Sequence, residues 1–129
     1  MTIAAKTQPD CQDTKGKWLQ RCWKDGKYTW TISGVLWNNV KERCTSDSAT
    51  QSREPTYIGA VNRFEGFQEF VSWHQSQVSY GLGYDLDSDI LKDGCTKIYS
   101  ESTCLLIPPA LNRFLQSYNG KRSNRPQGV

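Results

Sequence analysis

The sequence predicts a small single domain of the α+β class. At 129 residues the chain is large enough for one hydrophobic core and too small for two. Hydrophobic residues make up 36% and aromatic residues 12%, with five Trp and six Tyr, so there are enough large apolar side chains to offset conformational entropy. Segments with helical period and segments with a period of two occur in the same chain, separated by Gly, Pro and polar turns. Mean hydropathy is −0.68, and no run approaches the roughly 18 to 20 apolar residues that a membrane span demands.

Residues 1–16 are polar beyond Ile3-Ala4-Ala5 and lack an apolar period, which predicts a loose arm. No basic stretch leads into an apolar run and a small-residue cleavage site, so the expected compartment is cytoplasmic. The domain proper is expected over 17–118. It opens with KWLQRCWKDGKYTWT, whose Asp25-Gly26 favours a tight turn and hence a hairpin. Val35, Leu36, Val40 and Cys44 then recur at helical spacing behind Ser33, predicting a helix to about Cys44. TSDSATQSREP reads as a polar loop and PTYIGAV as a short strand. In NRFEGFQEFVSWHQSQ, Phe64, Phe67, Phe70, Val71 and His74 share one side of a second helix capped by Asn62, with the phenylalanines in the core. Gly81 and Gly83 break the chain before YDLDSDIL, where strict alternation marks a half-buried strand. A loop, the apolar run TCLLIP and a helix over PPALNRFLQSY follow, the Pro suiting the opening turn. Residues 119–129 read as a flexible basic tail.

The net charge of +3 is unevenly distributed, at +3 over residues 1–50, −4 over 51–101 and +4 over 102–129. Basic ends around an acidic middle suit a nucleic-acid enzyme whose ends neutralise phosphates while its middle gathers carboxylates around a metal. They also suit a plain solubilising surface, and the pI of about 8.6 is below that of a dedicated DNA-binding domain. The five cysteines (Cys11, Cys22, Cys44, Cys95 and Cys104) are an odd number without a CxxC pair, which favours reduced thiols over a disulfide framework or a structural zinc.

In YDLDSDIL the period of two puts Asp85, Asp87 and Asp89 on one face, with Leu86 and Ile90 pointing into a core. Carboxylates so close repel unless neutralised, and hard oxygen ligands suit Mg²⁺, Mn²⁺ or Ca²⁺. An EF-hand is excluded, because Ile90 stands where its loop needs Gly and Thr96 where it needs Glu. The competing reading is an acidic strand edge that discourages aggregation. His74, the only histidine, sits on the apolar side of an aromatic helix, where a packing role outweighs a catalytic one.

The order from residue 84 to 118 is a strand bearing Asp, a loop, a short apolar strand and a helix bearing Asn112. It resembles the ββα-metal core of HNH endonucleases. The resemblance implies Asp87 as the metal-binding Asp and Asn112 as the helix ligand, with Ser88 where the family has its base histidine. Serine does not take a proton from water near neutral pH, so a substitute base or a lost activity is implied. Over roughly residues 28–115 the chain also resembles a family of phage-encoded proteins related to HNH homing endonucleases. The matching elements are Trp37, Arg43-Cys44, Pro55-Thr56-Tyr57, the aromatic helix through Trp73, Leu86-Asp87-Ser88-Asp89-Ile90-Leu91, Tyr99-Ser100-Glu101-Ser102-Thr103-Cys104, Ile107-Pro108 and Asn112. Departures are Ser102 for Glu and Ser88 for the usual Lys; relatives often continue into an AP2-like DNA-binding segment at about the point where RPQGV stands.

The expectation is therefore a degenerate HNH-type, metal-dependent DNA endonuclease using Mg²⁺ or Mn²⁺ and, if phage-encoded, working in the host cell cytoplasm. Asp87 and Asn112 would hold the metal, and Asp87 and Asp89 would be catalytic, Asp89 orienting a metal-bound water. Lys92, Lys97, Arg113, Lys121, Arg122 and Arg125 are the candidate DNA contacts. The alternatives are a DNA-binding module that no longer cuts, and a phage protein that binds a host protein.

Overall fold

The computed structural model describes residues 7–91, 94 and 96–123. They form a mixed α+β domain with four α-helices and three two-stranded sheets. The hairpin falls where the Asp-Gly turn predicts it: β1 (Arg21–Lys24) pairs antiparallel with β2 (Lys27–Trp30). Asp25 (φ 53°) and Gly26 (φ 76°) both take the left-handed conformation that a two-residue hairpin turn requires.

Helix α1 (Ile32–Cys44) is capped two residues earlier than expected, by Thr31, whose hydroxyl accepts the Gly34 N–H at 3.0 Å. The polar segment after it is not all loop, since Ser48 caps the short helix α2 (Ala49–Arg53). Pro55–Tyr57 forms a 3-10 turn, so the strand expected over PTYIGAV shrinks to β3 (Val61–Asn62). β3 pairs in parallel with β5 (Ile98–Tyr99). Helix α3 (Phe67–Gln75) starts after Gly66 rather than at Asn62, whose side chain instead accepts the Phe64 N–H at 3.0 Å.

Strand β4 (Asp85–Asp87) pairs antiparallel with β6 (Leu105–Ile107), and the chain then enters α4 (Pro109–Ser123), which packs on β4. α4 runs five residues past the expected helix end at 118, so residues 119–123 are helical rather than a loose tail. Residues 124–129 lie outside the described residues.

One core joins α1, α3 and the strands. Trp37, Val40, Phe64, Phe67, Phe70, Val71 and Trp73 are buried, together with Leu86, Tyr99 and Cys104. The phenylalanines pack as expected, Phe64 edge-on to Phe70 at 5.2 Å between ring centres and Phe70 against Trp37 at 5.4 Å. Ile90 departs from its expected core position and is 47% exposed, because β4 ends three residues earlier.

The arm is also corrected over its described part. Gln8 is buried, its N–H donates to the Trp30 carbonyl, and its side-chain amide donates to Thr29 Oγ1 and the Cys22 carbonyl, both at 2.7 Å. Asp10 accepts from the backbone N–H (2.9 Å) and hydroxyl (2.6 Å) of Ser33 and from the Tyr80 hydroxyl (2.6 Å). Polar side chains therefore dock a segment that lacks an apolar period. Cys11 and Cys22 are joined in a disulfide, so the expectation of reduced thiols fails for this pair, while Cys44 and Cys104 are free. Among the described residues no helix is long and apolar enough to cross a membrane.

Candidate functional site

The end of β4 and the turn after it, the start of α4, β5 with Lys97, the last turn of α1 and the 3-10 turn meet around a cleft of about 160 Å³. Asp87 closes β4. Its Oδ2 accepts the backbone N–H groups of Asp89 (3.0 Å) and Ile90 (2.9 Å), an Asx-type turn that competes with strand pairing and ends the strand. The turn tucks Ser88 inward, 3% exposed, while Leu86 faces the core. Asn112 lies in the opening turns of α4, where its Nδ2 donates to Asp85 Oδ2 at 3.0 Å. Asp87 and Asn112 thus line the same cleft, and the direct hydrogen bond of Asn112 is to Asp85.

Asp89, expected to orient a water, forms a two-pronged ion pair with Lys97, whose Nζ lies 2.6 and 2.7 Å from its carboxylate oxygens. Lys97 is correspondingly not a solvent-facing loop lysine; its side chain is 14% exposed. It also lies 5.6 Å from the centre of the Tyr57 ring, and Arg43 lies 5.1 Å from the same ring, so two cations share one π face system.

Arg43 Nη1 is 3.5 Å from the hydroxyl of buried Tyr99. Burial pushes the Tyr99 phenol up from its ordinary value, with Arg43 and the Ser88 hydroxyl opposing the shift. Burial likewise raises Tyr57, again opposed by Arg43. Both phenols are therefore neutral hydrogen-bonding groups, not anions, at ordinary pH. Arg43, Tyr57 and Tyr99 were absent from the candidate site read from sequence, although all three belong to the motif elements that carry the family resemblance.

The other candidates are dispersed. Arg113 is exposed on α4, Lys121 and Arg122 continue its backbone, and Lys92 and Arg125 lie outside the described residues. His74 does not line the cleft; it is 4% exposed, with Nδ1 2.7 Å from Ser33 Oγ. Burial lowers its pKa to about 4, opposed by Asp10, so it is a neutral packing residue.

No family model, no curated protein and no solved structure matches the chain at a significant level. The site is therefore read from its own chemistry. Among the described residues no three His, Cys, Asp or Glu side chains gather as a metal-binding group. Two cleft-lining residues nonetheless keep one side-chain oxygen without a hydrogen bond among the described residues, Asp87 its Oδ1 and Asn112 its Oδ1. One carboxylate and one amide oxygen fit an ion such as Mg²⁺, which keeps most of its waters and completes its shell with phosphate oxygens. The pairs Arg43/Lys97 and Asp87/Asp89 leave the cleft lining near neutral, so a divalent ion and an anionic phosphate complement it better together than either alone.

Proposed function

We propose that the chain acts on DNA as a weak divalent-metal-dependent phosphodiesterase, with Asp87 and Asn112 as the protein ligands of Mg²⁺ or Mn²⁺. The observation that carries this reading is that Asp87 and Asn112, each with one side-chain oxygen free of hydrogen bonds among the described residues, line one cleft at the junction of an antiparallel strand pair and the helix that follows it. The strand-strand-helix order supports the HNH-like reading. When bound, the ion would neutralise charge at the scissile phosphate and the leaving 3′ oxygen. Asp85 fixes the Asn112 amide so that its oxygen, not its nitrogen, is the free end. Arg43, at the cleft wall, attracts a phosphate oxygen.

No side chain here is a strong base. Ser88 is buried against Tyr99, and Asp89 is held by Lys97. A positioned base typically contributes about 10²- to 10⁴-fold in rate, so turnover should fall short of a histidine-based nuclease by roughly that factor. Incubating supercoiled plasmid with Mg²⁺, Mn²⁺ or EDTA tests the reading. Slow metal-dependent nicking is expected, reduced at least about tenfold by Asp87→Ala and by Asn112→Ala. Unchanged nicking by Asp87→Ala would falsify the assignment.

A second reading, a DNA-binding module that no longer cuts, is favoured by the Asp89–Lys97 ion pair and by Ser88 at the base position. It predicts no nicking, but a gel shift that weakens steeply with salt and does not depend on Asp87.

A further inference from the structure

The β1–β2 hairpin covers one of its faces and leaves the other open. Cys22 and Thr29 are cross-strand partners on the covered face, where the Gln8 side chain and the disulfide to Cys11 sit. The open face carries the alternate residues Arg21, Trp23, Tyr28 and Trp30. Trp23 is 72% and Tyr28 51% exposed, with ring centres 5.4 Å apart. The Arg21 guanidinium lies 5.3 Å from the Tyr28 ring centre and 4.4 Å from that of Trp30, so the face is a continuous ladder of π surfaces with a cation inside it.

The ladder runs into an open groove of about 410 Å³ bordered by Trp18, Trp30, Phe67 and Gln68. That volume lies within the range of small-molecule clefts, about 300 to 1,000 Å³. The hairpin side is mostly basic: over residues 15–30, Lys15, Lys17, Arg21, Lys24 and Lys27 stand against Asp25 alone, while Glu65 and Glu69 flank Phe67 and Gln68 on the opposite border. Lys24 and Lys27 are exposed cross-strand partners at the hairpin tip.

We infer that this face is a stacking platform for single-stranded nucleic acid, with unpaired bases on Trp23 and Tyr28 and the sugar-phosphate backbone running past Arg21, Lys24 and Lys27. A polyanion answers the charge, and unstacked bases answer the exposed ring faces; a duplex hides its base faces and offers only edges and phosphates. The inference deepens the proposed function by naming a strand form. It involves neither Asp87 nor a metal.

The test is titration of the full chain with a fluorescently labelled 16-nucleotide oligo-dT and with a mixed-sequence duplex, both in EDTA and at several salt concentrations. Oligo-dT should quench tryptophan emission and bind in a salt-dependent manner. Trp23→Ala and Tyr28→Ala should each weaken oligo-dT binding by about tenfold while leaving duplex affinity unchanged. Lys24→Glu with Lys27→Glu should flatten the salt dependence. Because Trp23 is so exposed, its removal leaves the core intact, which thermal melting of the variant verifies. Oligo-dT affinity indifferent to both aromatic substitutions, or an equal loss on duplex, overturns the platform. Asp87→Ala should bind oligo-dT like the parent. Failed nicking with intact oligo-dT binding therefore sinks only the phosphodiesterase, and the converse sinks only the platform.

Discussion

At Gly34 the packing leaves no room for a side chain. A Cβ built there would lie 2.0 Å from the Gln20 carbonyl oxygen and 2.8 Å from its carbon, and backbone cannot swing aside as a flexible side chain would. The same carbonyl accepts the N–H (2.9 Å) and hydroxyl (3.1 Å) of Thr31, so the start of α1 is bonded onto the chain leading into the hairpin. Gly34→Ala should therefore part this junction, costing about 2 to 4 kcal/mol and lowering Tm by on the order of 10 °C. A circular-dichroism melt decides it; a Tm within a degree or two of the parent would mean the approach is looser than described. Asp87 is likewise defined by its neighbours: one oxygen is committed to two backbone N–H groups, which fixes the side chain and ends β4.

Among the elements, the polar docking of residues 8–10 has the clearest energetic consequence. Asp10 satisfies the N–H and hydroxyl of buried Ser33 and the Tyr80 hydroxyl, and Ser33 in turn bonds His74. Asp10→Ala should deprive the Ser33 N–H and the Tyr80 hydroxyl of their acceptor, leave the Ser33 hydroxyl with His74 alone, and cost about 2 to 4 kcal/mol, with Asp10→Asn milder because it retains an acceptor. Urea denaturation gives the ranking, and equal midpoints for the parent and both variants would contradict it. This docking was illegible in the sequence because Gln8 and Asp10 bind through side-chain hydrogen bonds to residues fourteen or more positions away, which leave no period to read. The hairpin and α3 were legible, since Asp25-Gly26 and the phenylalanine spacing are local signals. β3 and β5, two residues each, exist only through their pairing with each other. The site divides the same way: Asp87 and Asp89 stood out by spacing and Asn112 through the family resemblance, whereas Arg43, Tyr57 and Tyr99 reach the cleft from three separate elements.

For the molecule as a whole, stability should depend on pH through His74. Folding places this ring against Phe70, Trp73 and Tyr80, and burial lowers its pKa to about 4, the Asp10 carboxylate offsetting only part of the cost of charging it. In the unfolded chain the imidazole titrates near its usual value of about 6.5. Between these values the unfolded state binds the extra proton, so unfolding becomes more favourable as pH falls. The contribution is fully present above about pH 6.5 and is lost progressively toward pH 4, amounting to at most about 3 kcal/mol over that window. Carboxylates add their own acid sensitivity, so the informative quantity is a difference between proteins. Urea midpoints of the parent and of His74→Gln, followed from pH 7.5 to 4.5, should diverge, the parent losing stability more steeply because only it has an imidazole to protonate. Parallel curves would show that the His74 charge is tolerated in the folded core, the Asp10 carboxylate stabilising imidazolium as much as burial opposes it.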